Sequence, residues 1–164
     1  MLHHVELYVS RLETSLRFWA PLLIELGYHE SQRWPEGASY ISGSTYICFV
    51  QAPAEHLEIG YHRKRIGLNH LAFQANSTAQ VDKIAAWAKS AGVALLYEAK
   101  YPFAGGPGYY AAYFEDPDRI KVEVVAPSYE QASDTPQLQQ STDSGQQPKI
   151  EAPSRHAEIG RAHV

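Results

Sequence analysis

The sequence starts over in its middle, and that restart limits the fold more than any other feature. His4-Val5-Glu6-Leu7-Tyr8-Val9 is a strand-like run that leads into a helix-start signal. Sixty-six positions later Gly67-Leu68-Asn69-His70-Leu71-Ala72-Phe73-Gln74 does the same, and His70 takes the place of His4. From His4 to the helix-ending Gly27 is 23 residues, and from His70 to Gly92 is 22. Repetition at one spacing means one supersecondary unit used twice. Each copy reads as strand, helix and three strands, and each closes on Ala-Pro (52–53 and 126–127).

In the first copy, alternation over residues 2–9 puts Val5, Leu7 and Val9 on one face and His4, Glu6 and Tyr8 on the other. Ser10-Arg11-Leu12-Glu13 has the form of a capping box with Ser10 as N-cap. Leu12, Leu16, Trp19, Leu23 and Leu26 make a helical stripe, Pro21 is expected to kink or divide it, and Gly27 to end it. Strands are expected over 28–34, 38–42 and 45–51, separated by Pro-Glu-Gly and Ser-Gly-Ser turns. Residues 54–66 connect the copies. The second copy has a strand over 70–75, a capping box at Ser77-Thr78-Ala79-Gln80, and a stripe of Val81, Ile84, Ala85 and Ala88. Its remaining strands are expected over 95–98, 109–115 and 120–125. This gives an α+β domain over 1–127, with modules at 2–53 and 67–127. The two βαβββ modules are expected to close into one cupped, eight-stranded mixed sheet with helices outside. Residues 128–164 lose periodicity and fill with Gln, Ser, Thr, Pro and Asp, so a disordered tail is expected. Residues 158–164, EIGRAHV, read as a translated sequencing adapter and are set apart.

The formal net charge is −4, which speaks against a nucleic-acid or anionic-membrane partner. No apolar run is long enough to span a bilayer and no signal peptide is evident, so a cytoplasmic location is expected. The only cysteine, Cys48, excludes an intrachain disulfide and a multi-cysteine zinc site, and its apolar surroundings make it a small buried residue. The basic run His62-Arg63-Lys64-Arg65 reads as a solvated loop or an anion contact.

The chemistry lies on the faces turned toward the cup. There the first strand offers His4, Glu6 and Tyr8, and the middle strand His70, Ala72 and Gln74. In the last strand Glu123 sits between Val122 and Val124, where a carboxylate needs a partner. His4, His70 and Glu123 make a 2-His-1-carboxylate set, which holds a divalent metal and leaves positions open for substrate. Glu6 is a candidate general base. Tyr8 and Gln74 either orient a small-molecule substrate or form a hydrogen-bonded network behind the ligands. The loop over 101–110 is rich in glycine and aromatics and is expected to act as a lid, with Tyr110 against the substrate. His56 and His62 read as surface residues or an acid over the cup, and His3 as pointing away from His4.

Three stretches, HHVELYVSRLETSLRFW, GLNHLAF and FEDPDRIKVEVVAP, resemble the vicinal oxygen chelate superfamily, the glyoxalase/bleomycin-resistance/extradiol-dioxygenase group. The resemblance covers about residues 2–127. It implies the paired βαβββ fold, a divalent metal (Zn, Ni, Mn or Fe) held by His4, His70 and Glu123, substrate chelated through adjacent oxygens, and a homodimer. Two departures stand out. Aligning the Ala-Pro pairs puts Phe49 opposite Glu123, where glyoxalase I enzymes carry an acid, so Phe49 is expected to line the substrate space of a three-ligand site. Arg119 replaces the glycine of the usual Asp-Pro-Asp-Gly turn, so the turn is expected to differ. The resemblance implies first a glyoxalase-like lyase or isomerase. The alternatives are an Fe(II) extradiol-type dioxygenase, a fosfomycin-type transferase, or a drug- or metabolite-binding resistance protein that needs no metal.

Overall fold

Period-two alternation sets each sheet's two faces, and the packing follows from them. The computed structural model describes residues 2–128. The readings for residues 129–164, the tail and the adapter, lie outside the described residues. Strand β1 (His4–Val9) buries Leu7 and Val9 and exposes His4, Glu6 and Tyr8. Helix α1 (Leu12–Glu25) follows, then β2 (His29–Trp34), β3 (Gly37–Ser42) and β4 (Thr45–Gln51). The second module repeats this order with β5 (His70–Gln74), α2 (Thr78–Ser90), β6 (Leu95–Leu96), β7 (Ala111–Glu115) and β8 (Lys121–Val125).

The eight strands form two four-stranded mixed sheets, ordered β1-β4-β3-β2 and β5-β8-β7-β6. In each, the first strand is an edge and runs parallel to the last, while the other pairs are antiparallel. The two histidine-bearing strands are therefore both edge strands. Among the described residues no ladder joins the sheets into the single eight-stranded sheet expected from the sequence.

The two helix starts are built differently. At α2, Ser77 accepts from the Gln80 backbone N–H at 3.2 Å, and the Gln80 side chain accepts from the Asn76 N–H at 2.7 Å. Here the capping signal is used. At α1 the N-cap is Arg11, with no side-chain cap. The Ser10 N–H goes to Asp118 at 2.9 Å, and Gln51 of β4 accepts from the Leu12 N–H at 3.0 Å. A tertiary acceptor has displaced the local one. Pro21 does not divide the helix, which runs unbroken from Leu12 to Glu25, and it lies on the exposed side.

The core sits on the helix side of both sheets. Trp19 has no exposed surface and lies 5.1 Å from the ring of Phe49 in β4 and 6.2 Å from Phe73 in β5. Phe18 meets Trp87 of α2 at 6.0 Å. One apolar cluster thus joins the two modules.

The Trp19 indole N–H also donates to Asp116 Oδ2 at 3.0 Å. Asp116 Oδ1 accepts from the backbone N–H groups of Asp118 (2.9 Å) and Ile120 (2.7 Å), so this carboxylate shapes the β7–β8 turn. Arg119 adopts the left-handed conformation itself (φ 67°). The turn keeps a glycine-type backbone with arginine in it, at a cost of about 1 kcal/mol. Burial pushes the Asp116 carboxyl up from 3.8 to about 6, against the pull of its three donors. A raised acid pKa stabilises the fold fully below 3.8, and this contribution is lost as pH rises through 6. Wild-type stability is therefore expected to fall between pH 4 and 6 by up to ~3 kcal/mol from this group. Urea unfolding across that range should show the slope, and Asp116→Asn should flatten it. An unchanged slope in the variant would assign the pH dependence to another group.

Candidate functional site

Strand β8 lies between β5 and β7, and its valines decide where Glu123 points. Val122 and Val124 are fully buried on the helix side, so Glu123 faces the other way. It is nevertheless only 4% exposed. The required partners are present. His70 Nε2 lies 3.1 Å from Glu123 Oε2, and the Tyr109 hydroxyl donates to Oε1 at 2.5 Å. Tyr113 is the register partner of Glu123 on β7, as Ala72 is on β5. His70 Nδ1 sits 2.8 Å from Asn69 Oδ1, an outer contact that fixes the ring and turns Nε2 toward the carboxylate. The bond to Glu123, with burial, pushes the Tyr109 hydroxyl up to about 12. Burial first, then Glu123, raises Tyr113.

The loop over 101–110 closes on this cluster, but through different residues from those expected. Tyr110 donates to Asp82 of α2 at 2.7 Å, and Tyr101 donates to the same oxygen. Tyr110 therefore faces the helix and not the substrate side; its neighbour Tyr109 takes the position at Glu123. A Cβ on Gly105 would stand 2.3 Å from the Tyr109 ring and 2.8 Å from the Tyr113 hydroxyl, so only glycine lets the loop seat both tyrosines. The β7 alternation could have revealed Tyr113. The strand expected over 109–115 would put Tyr109 on the face of Tyr113 as well, although the observed strand begins at Ala111.

Phe49 also needs correction. It is fully buried against Trp19 and Tyr40, and its register partner is Leu7 on the core face. It lines no substrate space. Glu123 pairs with Ala72, the counterpart of Glu6, and Glu6 pairs with Cys48. Cys48 is therefore the residue opposite Glu123 in the repeat. The Ala-Pro alignment misses it by one because β4 continues one residue further before its Ala-Pro. Cys48 is 7% exposed, and burial followed by the Glu6 charge pushes its thiol up to about 11.

The remaining site residues lie as follows. His4 is exposed on β1, stacked on Tyr46 at 4.7 Å, with its Nδ1 2.8 Å from His3 Nδ1. His3 precedes the strand, so alternation does not bind it, and its ring turns onto His4 and not away. Glu6 and Tyr8 share the exposed face of β1, and Gln74 shares the face of His70. Tyr8 lines a cavity of about 510 Å³ with His56, Tyr61 and Asp118. Among the described residues no three His, Cys, Asp or Glu groups converge in one chain. His4 does not join the His70–Glu123 pair. That pair has an imidazole and a carboxylate with converging lone pairs and outer partners on both, a donor set suited to a divalent cation. It offers two donor groups and not three.

A family described as the Glyoxalase/Bleomycin resistance protein/Dioxygenase superfamily matches residues 1–124. The uncharacterized protein YqjT of Bacillus subtilis (strain 168) is 54% identical over 127 residues, which is 77% of this chain and 99% of that protein. The crystal structure of a candidate glyoxalase from Bacillus halodurans is also 54% identical, with a TM-score of 0.76 over 77% of this chain and 96% of that one. A variant of the fosfomycin resistance protein FosX from Listeria monocytogenes, complexed with Mn(II) and 1S,2S-dihydroxypropylphosphonic acid, shares the fold. Its TM-score is 0.57 at 24% identity, over 82% of this chain and 95% of that one.

Proposed function

The chain belongs to the glyoxalase/bleomycin resistance/dioxygenase superfamily, and from that premise we propose a divalent-metal-dependent, glyoxalase-like lyase or isomerase. Its substrate is a small molecule bound through two adjacent oxygens. The observation that carries this is the His70–Glu123 contact at 3.1 Å, with the carboxylate buried between valines. Nothing in a purely structural role requires a carboxylate there. Bound there, a divalent ion supplies Lewis acidity to the substrate oxygens. His70 and Glu123 hold it. Asn69 and Tyr109 keep those two groups aimed, and Tyr109 covers them from the loop.

The third ligand is His4 of a second copy in a homodimer. His4 and His70 head equivalent edge strands, and His4 stands apart from Glu123 within one chain. Setting β1 of one copy beside β5 of another brings the three groups to one seam and completes the eight-stranded cup. Glu6 then faces the metal ligands from the opposite sheet and serves as the proton carrier, with Tyr8 and Gln74 orienting substrate. Counted so, the site has three protein ligands, His70 and Glu123 of one copy and His4 of the other. The same donor set also suits Fe(II) ring-cleaving oxygenation; oxygen uptake with catechols would select that reading.

The test is metal content in protein purified without chelator. His4→Ala and Glu123→Ala are each expected to hold almost none. Co-expressed, the two variants should recover about one site in four, because half the dimers are mixed and each mixed dimer has one intact site. No recovery would place all three ligands in one chain, and an equally metal-free wild type would end the metalloenzyme reading.

A further inference from the structure

At the end of the second sheet, where β5 and β8 begin, the connector folds over a pocket of about 180 Å³ lined by Tyr61, His62, Arg63, Lys64 and Arg119. Its lining is one-sided in charge. Arg63 ion-pairs with Glu115 Oε1, and Arg119 Nε lies 3.5 Å from Glu115 Oε2. One carboxylate orients two guanidiniums. With Lys64 the lining carries three positive charges, before His62 is counted, against Glu115 between the guanidiniums and Asp116 and Asp118 on the Tyr61 side. Each guanidinium carries five N–H donors, and the contact to Glu115 leaves most of them available.

Two further observations set this place apart from a solvated basic loop. Arg63 is a half-buried arginine tied to a residue 52 positions away, so the pocket wall is fixed by tertiary structure. Arg119, one of two non-glycine residues with positive φ among the described residues, stands in the pocket wall. Tyr97 and Tyr113 hold the Lys121 ammonium over their rings at 5.4 and 4.7 Å. Lys121 is the register partner of both His70 and Glu115. Strained conformations persist where the surroundings impose them, and such places are often binding sites.

We propose that this pocket binds an oxyanion, a phosphate, phosphonate or carboxylate group. Paired guanidinium donors match such groups. We assign its occupant to the anionic end of the substrate, an assignment that rests on the metal-site reading. His70 and Glu115 lie two strands apart, about 10 Å across the sheet, with Lys121 between them. The substrate is therefore an anionic molecule that reaches about that far from its chelating oxygens.

The probe is inorganic phosphate, titrated calorimetrically into the chelator-treated full chain at low ionic strength. Saturable binding of one phosphate per chain is expected. Arg119→Gly removes the guanidinium and suits the left-handed backbone, so it should keep the fold and weaken phosphate about tenfold or more. Arg65→Gln should change it less than about twofold, since exposed charges act weakly and Arg65 donates to the Ile59 and Gly60 carbonyls at 3.2 and 3.3 Å. His70→Ala should leave it unchanged. No saturable binding, wild-type affinity in Arg119→Gly, or loss in His70→Ala would each overturn the proposal. A wild type that binds phosphate but no Mn(II) would retire the metal reading and leave the anion pocket standing.

Discussion

Trp19→Ala is expected to lower the unfolding free energy by about 3–5 kcal/mol. Trp19 does three things at once. It fills the space between β4 and β5 through Phe49 and Phe73, so its removal opens a cavity against both sheets. It packs edge-on against Phe18, which reaches α2 through Trp87. Its N–H is one of the three donors that satisfy buried Asp116. Trp19→Phe separates packing from hydrogen bonding. It keeps most of the volume, loses the donor, and should cost about 1–3 kcal/mol. Urea melts of the three proteins check both values. An alanine variant within 1.5 kcal/mol of wild type would mean the indole does not join the modules. The site would move with this core, because the turn held by Asp116 leads directly into the strand that carries Glu123.

Glu123→Ala is expected to weaken Mn(II) binding at least about a hundredfold, beyond the loss usual for an outer partner. The fold should survive. The change removes a buried carboxylate and leaves two tyrosine hydroxyls to find water, half-exposed Tyr109 and buried Tyr113, through the space the carboxylate vacates. Tyr109→Phe tests the outer contact on its own, since it keeps the ring against Gly105 and removes only the donor. A loss of about tenfold in Mn(II) affinity with an unchanged melting temperature is expected. Equilibrium dialysis of folded variants reads both. Wild-type affinity in Glu123→Ala would remove this residue from the centre.

The repeat, the succession of elements along each module and the faces of β1, β5 and β8 were legible because they depend on period and spacing. His70 and Glu123 were legible for the same reason. A histidine at a strand start and a carboxylate between two valines are local facts. Phe49 and Tyr110 were misplaced by one residue each, and one residue is the whole distance between the two faces of a strand or the two sides of a loop. Comparing Ala-Pro endings counts along the chain, whereas the Glu6–Cys48 and Ala72–Glu123 pairings count across the sheet. The first capping box failed for a related reason: Gln51, 39 residues away, offered the Leu12 N–H an acceptor that no local pattern contains.

Order along the chain is thus enough for two equal modules, their polar and apolar faces, and the placing of His70 and Glu123 on one face of the second. Period-two and period-3.6 burial act through neighbours in the chain, and the order of residues is enough to set them. Packing between distant residues is what brings the modules together at Trp19, sets Tyr109 and not Tyr110 on Glu123, and leaves His4 apart from His70. These depend on which surfaces pack, on free energies summed over contacts between distant residues. Two histidines in equivalent positions of a repeat share a local environment, and that equivalence says nothing about the distance between them.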